Sequence, residues 1–198
     1  APHFLCGAVF LYNKNMKIIL ASKSERRISM LRKKGYKFRS VGADVSEKTH
    51  FKQTAKIVKD LAFKKAFVVS LKYPNHLIIG ADTLVVCDGK VLGKPKDEKD
   101  ALRILKFLNG KWQSVYTGIA IINKSNNKIL LGYEMSKCRA RKLSEEQLKR
   151  FASKHLDKAG AYAVQDTKDP FIEKIIGNKD NIVGMPMSLF NKMMKGFD

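Results

Sequence analysis

The chain has few acidic residues, few cysteines and no long apolar run, and each shortage argues against a class of protein. Its 198 residues include 18 Asp and Glu against 39 Lys and Arg, a formal net charge of +21. The three cysteines, Cys6, Cys87 and Cys138, are far apart and form no CxxC pair. This spacing disfavours disulfides and a zinc site, and favours a reducing compartment. The four histidines show no metal-ligand spacing either.

No segment has the length and apolarity of a membrane span. The apolar residues within 1–11 are too few to cross a bilayer and lack a basic start, so we predict no targeting segment and expect a cytoplasmic protein. We take Met16 as the native start, with residues 1–15 as an upstream extension or an expression remnant. A hydrophobic content of 44% and the absence of internal repeats predict one continuous domain over 16–198.

The excess of positive charge has two interpretations. It is typical of proteins that bind nucleic acid. The basic residues are nevertheless spread along the whole chain, without a long block and without interleaved aromatic residues. Dispersed charge favours compositional bias together with an anionic small-molecule substrate over a polynucleotide partner.

Hydrophobic periodicity predicts strands and helices in alternation. The predicted strands are 17–21, 36–41, 77–80, 114–122 and 128–135, with a hairpin at 85–92 around an Asp-Gly turn. The predicted helices are 24–34, 54–71, one capped by Asp97 and closed by Gly110, one opened by the capping box Ser144–Gln147, and 187–194. Residues 157–186 are rich in glycine and polar side chains, which is typical of a site built from loops. This order predicts a mixed α/β fold around one long sheet.

The first candidate site lies where a predicted strand meets a helix. It reads Ser22-Lys23-Ser24-Glu25-Arg26-Arg27. A helix N-terminus offers free backbone N–H groups and the positive end of the helix dipole, which together bind anions. Two hydroxyls and two guanidinium groups at this point can clamp several phosphate oxygens. The alternative is that Ser24 is only a helix cap and that the two arginines are solvated.

Two further positions add charged groups. Asp82 is placed at or just beyond the end of the strand 77–80, where a carboxylate can hold a divalent metal or activate water, or can simply turn the chain. Lys94 stands between Gly93 and Pro95, on a constrained loop that can aim it at a phosphate. The spacing of this loop is not that of a P-loop.

The segment 157–165 combines small residues with Gln165, whose amide can both donate to and accept from a nucleobase. In 171–177, Phe171, Ile172 and Ile175 are expected in the core, while Glu173 is either one half of an ion pair or part of a ligand shell. The sequence has no Ser/His/Asp order, no glycosidase-like pair of carboxylates, no GxGxxG and no HExxH. Groups that bind phosphate outnumber those that attack it, so a metal and a water molecule are the expected agents of the reaction.

Together these segments resemble the Maf family, the septum-formation-inhibitor-like nucleotide pyrophosphatases. The strings that carry the resemblance are Leu20–Arg27, Gly80–Thr83, Leu92–Pro95, Val115–Gly118, Asp157–Gln165, Phe171–Ile175 and Asn181–Pro186. They occur in the family's order and span the chain from Met16 to its last residues.

The resemblance implies hydrolysis of a nucleoside triphosphate to the monophosphate and pyrophosphate, with Mg2+ or Mn2+. The implied fold is an elongated mixed sheet with flanking helices and two lobes around a cleft, as in inosine triphosphate pyrophosphatases. The implied metal ligands are Glu47 and Asp82, with Asp82 as general base, and Lys94 completes the catalytic group. The implied substrate-binding residues are Ser22, Ser24, Arg26, Arg27, Lys65, Thr83 and Gln165.

Arg26 and Gln165 assign the chain, within the resemblance, to the branch that acts on dTTP and UTP. A second branch, which acts on 7-methyl-GTP, carries tryptophan and an acid at these positions. The chain departs from the family at Glu25, where proline is usual, at 153–155, and at Gln113-Ser114, where a histidine is usual. Two other functions stay open, a nucleic-acid-binding regulator and a nucleotide sensor of cell division with little turnover. Whether the chain forms a homodimer is also left open.

Overall fold

The computed structural model describes residues 17–164 and 170–197. The upstream segment 1–15, the expected start at Met16, Cys6 and the predicted nucleobase contact Gln165 lie outside these residues.

Within this part of the chain, seven strands form one mixed sheet in the order β2-β1-β3-β5-β6-β7, and β4 pairs with β3 beside this path. The strands are β1 Ile18–Leu20, β2 Phe38–Ser40, β3 Leu77–Cys87, β4 Lys90–Leu92, β5 Trp112–Asn123, β6 Lys128–Ala140 and β7 Ile172–Ile176. The helices are α1 Glu25–Lys33, α2 Thr54–Lys72, α3 Glu98–Leu108, α4 Glu145–Ala152, α5 Lys179–Val183 and α6 Met187–Met194.

Helices cover both faces of the sheet at β1 and β3, because side chains in a strand alternate between the two faces. Ile19 and Ile78 point towards α2 and pack on Ala62 and Ala66. Their neighbours in sequence, such as Leu20 and Ile79, point to the other face, where α1 and α6 supply Ile28, Leu31 and Phe190.

Two glycines let α2 approach the sheet closely. A Cβ atom at Gly80 would lie 2.2 Å from the carbonyl oxygen of Ala62, and one at Gly118 would lie 2.2 Å from that of Val58. The absence of side chains at these two positions therefore sets the distance between helix and sheet.

A second core lies at the other end of the long strands. It joins β4, α3, α4 and β7 around the far ends of β3, β5 and β6, with Phe151 and Phe171 among its largest buried side chains. Asp97 caps α3 by accepting a hydrogen bond from Asp100 N. Ser144 and Gln147 form the predicted capping box of α4.

Several predicted elements are confirmed, namely α1, α2, the β3–β4 hairpin, α3, α4 and α6. The placement of Asp82 was wrong, because β3 runs from Leu77 to Cys87 and Asp82 lies in its middle, opposite Gly118 of β5. The segment 157–186 is also more regular than predicted, because it contains β7 and α5. No helix in residues 17–164 or 170–197 is long and apolar enough to span a membrane.

Cys87 and Cys138 are free and buried, as predicted from their spacing. Cys138 Sγ lies 3.4 Å from Tyr162 Oη in the second core. Burial raises the pKa of the Cys138 thiol from its ordinary 9.0 to about 11, against a smaller opposite effect of the hydrogen bond with Tyr162. Burial also raises the pKa of Tyr162 well above its ordinary value.

This pair predicts a loss of stability at alkaline pH. The Cys138 thiol ionises at lower pH in the unfolded chain than in the folded protein. Its contribution to the free energy of unfolding is therefore complete below pH 9.0 and is lost as the pH rises towards about 11. We expect the free energy of unfolding to fall over this interval, with about 1–3 kcal/mol of the fall due to Cys138. Denaturant unfolding across this range should show a shallower pH dependence for Cys138→Ala, and equal slopes would contradict the assignment.

Candidate functional site

A gap along one edge of β3 opens the site. On this edge β3 pairs with β1 from Leu77 as far as Ile79, and its pairing with β4 begins at Val85. Among the described residues, no strand covers Gly80–Leu84 on this side. A cavity of about 800 Å³ lies here, bordered by β3, by the loop from β1 into α1 and by two loops of the second core. Ligand sites in α/β proteins favour such places, where neighbouring strands diverge.

The cavity brings together nine of the ten side chains that the sequence predicted as site residues. They are Ser22, Ser24, Arg26, Arg27, Glu47, Lys65, Asp82, Thr83 and Lys94. The tenth, Gln165, lies outside the described residues. Because these nine come from five separate segments, their meeting depends on the whole fold.

Asp82 and Thr83 bring the two faces of the sheet into the same cavity. As consecutive residues of a strand they point to opposite faces. Asp82 meets Lys65 of α2 on one face, and Thr83 meets Arg27 of α1 on the other. The uncovered edge of β3 therefore presents a carboxylate on one side and a hydroxyl bonded to a guanidinium group on the other.

The carboxylate wall is organised around Lys65. Its ammonium group forms an ion pair with Asp82 Oδ1 and lies 3.9 Å from Glu47 Oε1. Asp82 is only 7% exposed, whereas the side chain of Glu47 is 74% exposed on the loop between β2 and α2. The two carboxylates thus converge on a single cation position, one from a rigid strand and one from a loop.

Arg27 is a half-buried cation held by neutral oxygens. Its Nε donates to the carbonyl of Gly184 at 2.9 Å, one terminal nitrogen donates to Thr83 Oγ1 at 3.0 Å, and the other donates to Ser22 Oγ at 3.4 Å. None of these acceptors carries a charge. Burial lowers the pKa of Arg27 from 12.5 to about 10, with Asp82 opposing the shift and Arg26 adding to it. A half-buried guanidinium in this state is completed by an anion.

Arg26 and Ser24 also have unused polar groups at the cavity. The Nε of Arg26 is buried without a hydrogen-bond partner among the described residues, and burial lowers the pKa of this guanidinium while Asp157 opposes the shift. Ser24 occupies the N-cap position of α1, but its side chain makes no cap hydrogen bond. Ser24 thus occupies the predicted cap position, and its hydroxyl remains available to a ligand.

The outer wall of the cavity comes from the segment 157–165, in which the sequence assigned a role only to Gln165. Asp157, Lys158 and Tyr162 line the cavity, and Asp157 pairs with Lys158. Burial is the largest single influence on the pKa of Asp157 and acts to raise it. The hydrogen bond and charge of Lys158, together with the charge of Arg26 and a backbone hydrogen bond, outweigh burial, so the pKa lies below its ordinary 3.8. A hydrogen bond of 3.1 Å from Gly160 N to Gly93 O joins this wall to the loop that carries Lys94. The adjacent acid and base in a segment of small residues was the available signal.

Glu173 lies outside the cavity. It forms an ion pair of 3.2 Å with Arg139 across β6 and β7, which confirms the first of its two alternatives. Phe171 and Ile172 are buried, and Ile175 packs against the second core, as predicted. Of the departures from the family, Glu25 does line the cavity, beside the arginines of α1.

The fold and the family can now be compared with known proteins. The solved structure of the Ham1 protein of Staphylococcus aureus matches with a TM-score of 0.53, covering 92% of this chain and 100% of that chain. The two sequences are only 13% identical, so the match shows a shared fold and confirms the predicted fold class. The family described as Maf-like protein matches residues 17–197. The chain therefore belongs to the Maf family.

Curated relatives agree with this membership. The dTTP/UTP pyrophosphatase of Elusimicrobium minutum is 57% identical over 182 residues, covering 92% of this chain and 99% of the relative. The dTTP/UTP pyrophosphatase of Dictyoglomus turgidum is 41% identical over 185 residues, covering 91% of this chain and 96% of the relative.

Proposed function

We propose that the cavity hydrolyses dTTP or UTP between the α- and β-phosphates and releases the nucleoside monophosphate and pyrophosphate. The chain is a nucleoside triphosphate pyrophosphatase, as its family and the names of its relatives indicate. The observation that carries the proposal is the half-buried guanidinium of Arg27, which is bonded only to neutral oxygens and shares the cavity with the carboxylates of Asp82 and Glu47. A triphosphate supplies the anion that the Arg27 side of the cavity requires. It also brings its phosphates towards the carboxylates of Asp82 and Glu47.

The phosphate-binding wall would consist of the first turn of α1 and Lys94. The first backbone bond of the helix is Ile28 N to Ser24 O, so the preceding N–H groups have no partner within the helix. Arg26, Arg27 and the hydroxyl of Ser24 add side-chain donors at the same place. Charge-assisted bonds of this kind are among the strongest that a protein makes to phosphate.

The carboxylate wall fits a divalent cation such as Mg2+ or Mn2+. Asp82 and Glu47 already converge on one cationic group, the ammonium of Lys65. In residues 17–164 and 170–197 no group of three or more Asp, Glu, His or Cys could hold a metal by itself. Mg2+ is typically bound by only one or two carboxylates and completes its coordination with water and substrate phosphates. Asp82 and Glu47 would hold the ion, which when bound neutralises charge on the phosphates.

Asp82 would act as the general base. Its carboxylate accepts the proton of a water molecule as the water oxygen bonds to the α-phosphorus and the bond to the β-phosphate oxygen breaks. Pyrophosphate then leaves with its negative charge stabilised by Arg26, Arg27 and Lys94. Lys65 holds the Asp82 carboxylate at the cavity, and the pairing of β3 with β5 fixes its backbone.

The proposal also covers the choice of substrate and the cellular location, and it has one competing function. Arg26 at the cavity and Gln165 in the sequence support the branch that acts on dTTP and UTP. The reduced cysteines support a cytoplasmic enzyme. The competing function is nucleic-acid binding, which the charge of +21 favours. Such binding would weaken steeply with salt and would persist in a variant without Asp82.

A substrate screen tests the proposed function. Purified protein with Mg2+ is incubated with canonical and modified nucleoside triphosphates, and the products are separated by chromatography. We expect dTTP and UTP to turn over fastest and to yield the monophosphate and pyrophosphate in equal amounts. Hydrolysis of no nucleotide, or release of orthophosphate and a diphosphate, would contradict the proposal.

A further inference from the structure

The Val115–Gly118 segment has no role in the chemistry described so far, yet Thr117 is connected to the site. Thr117 is fully buried in β5, and its hydroxyl donates to the backbone carbonyl of Asn181 at 2.9 Å. The same oxygen lies 3.0 Å from Thr83 Oγ1. A threonine hydroxyl has a single proton. Because Thr117 donates its proton to Asn181, the proton in the second bond must come from Thr83.

Thr83 in turn accepts a hydrogen bond from Arg27 at 3.0 Å. The bonds therefore form a chain with one direction, from Arg27 through Thr83 and Thr117 to the carbonyl of Asn181. The proton of Thr83 is committed to Thr117. Thr83 thus contacts Arg27 directly while also lining the cavity.

The helix α5 holds both ends of this arrangement. The carbonyl of Asn181 ends the chain, and the carbonyl of Gly184, directly after α5, accepts from Arg27 Nε at 2.9 Å. The side-chain nitrogen of Asn181 donates to Val115 O and to Ser136 Oγ, each at 3.0 Å. α5 is therefore fixed to β5 and β6, and Arg27 is fixed to α5.

The consequence for Arg27 is a defined orientation. A guanidinium has five N–H donors in one plane. Three are used by Gly184, Thr83 and Ser22, which leaves two. The bonds to Thr83 and Gly184 set the plane of the group and thereby the direction of the two remaining donors.

We propose that Thr117 is a positioning residue, which orients the guanidinium of Arg27 for a phosphate group through the hydroxyl of Thr83. This inference rests on the proposed function in taking the phosphates of a nucleoside triphosphate as the ligand. It gives the Val115–Gly118 and Asn181–Pro186 segments a shared task, since one supplies the donor and the other the acceptor that ends the chain.

The test compares variants in binding and in catalysis. Thr117→Val keeps the shape of the side chain and removes the hydroxyl, Thr117→Ser keeps the hydroxyl, and Thr83→Val breaks the same chain one bond earlier. The matched control is Ser70→Ala, which removes a different buried hydroxyl, one that donates to Phe67 O within α2 and has no bond to Thr83, Arg27 or α5 among the described residues. Thermal unfolding is measured for each variant.

We expect Thr117→Val and Thr83→Val to weaken the binding of inorganic pyrophosphate about 10-fold, and to raise KM by a similar factor with a smaller change in kcat. Thr117→Ser should restore both values to within about two-fold of the wild type, and Ser70→Ala should leave them unchanged even where it lowers Tm. In an Arg27→Met background, Thr117→Val should have no further effect on binding, because the two residues act as one unit.

An unchanged pyrophosphate affinity in Thr117→Val, or an equal loss in Ser70→Ala, would overturn the inference and leave Thr117 a purely structural residue. If Thr117→Val does not fold, Thr117→Ala, which also removes the hydroxyl, decides the question by the same measurements. Binding of pyrophosphate is measured without turnover. The two proposals can therefore fail separately. If the wild type hydrolyses no nucleotide but Thr117→Val still weakens pyrophosphate binding, the result contradicts the proposed function and supports the positioning role.

Discussion

Asp82→Asn is expected to lower kcat for dTTP and UTP about 1,000-fold, within the range that loss of a general base produces. The amide that replaces the carboxylate cannot accept the proton of the attacking water. It also removes one of the two anionic groups around Lys65, so binding of the divalent cation should weaken as well. In the proposed function the nucleotide is held mainly by the opposite wall of the cavity, so KM at saturating Mg2+ should change far less than kcat.

Asp88→Asn is the matched control for this substitution. Asp88 lies at the end of the same strand and also pairs with a lysine, Lys111, but both side chains are exposed and neither lines the cavity. Loss of an exposed ion pair has little effect on stability. Pyrophosphate release under initial-rate conditions should be normal for Asp88→Asn. A value of kcat for Asp82→Asn close to that of the wild type would remove Asp82 from the role of base.

Arg26→Met is expected to raise KM for dTTP and UTP about 100-fold, the loss of roughly two charge-assisted hydrogen bonds to phosphate. The side chain is half-buried and its Nε has no partner among the described residues, so the substitution breaks no hydrogen bond of this nitrogen within that part of the chain. It also removes the cost of a desolvated charge. We therefore expect Tm without nucleotide to be unchanged or higher, in contrast to the loss of affinity.

Arg32→Met provides the comparison, because Arg32 lies on the same helix in its exposed last turn. Isothermal titration with inorganic pyrophosphate and steady-state kinetics should show no change for this variant. An Arg26→Met protein that keeps its affinity for pyrophosphate would show that the first turn of α1 does not bind the phosphates.

The sequence predicted most elements because their signals are local. Helix α4 is fixed by its capping box, and the β3–β4 hairpin by its Asp-Gly turn. The length of β3 was underestimated because Gly80 and Asp82 interrupt its apolar pattern. In the folded protein Gly80 accommodates α2 and Asp82 meets Lys65, so both exceptions are explained by partners distant in sequence.

The candidate site was accessible from the sequence only as separate pieces. The charged residues could be named because the residue type alone indicates what such a group binds: guanidinium and ammonium groups bind phosphate, and carboxylates bind cations. Their division into two walls depends on β3 presenting Asp82 and Thr83 to opposite faces, which requires the strand and its register. The link from Thr117 to Arg27 spans residues 90 positions apart in the chain and has no sequence signature.

The uncovered stretch of β3 has an implication for how such an enzyme can change. Shifting a strand by one residue exchanges all its side chains between the two faces. A deletion within β3 would send the carboxylate of Asp82 towards α1 and α6. The apolar side chains of β3 that now pack on α1 and α6 would then point towards α2. The loops around the gap are under no such constraint, since they can lengthen without altering any strand pairing. Evolution can therefore widen or narrow the entrance for different bases while the reacting carboxylate stays in place.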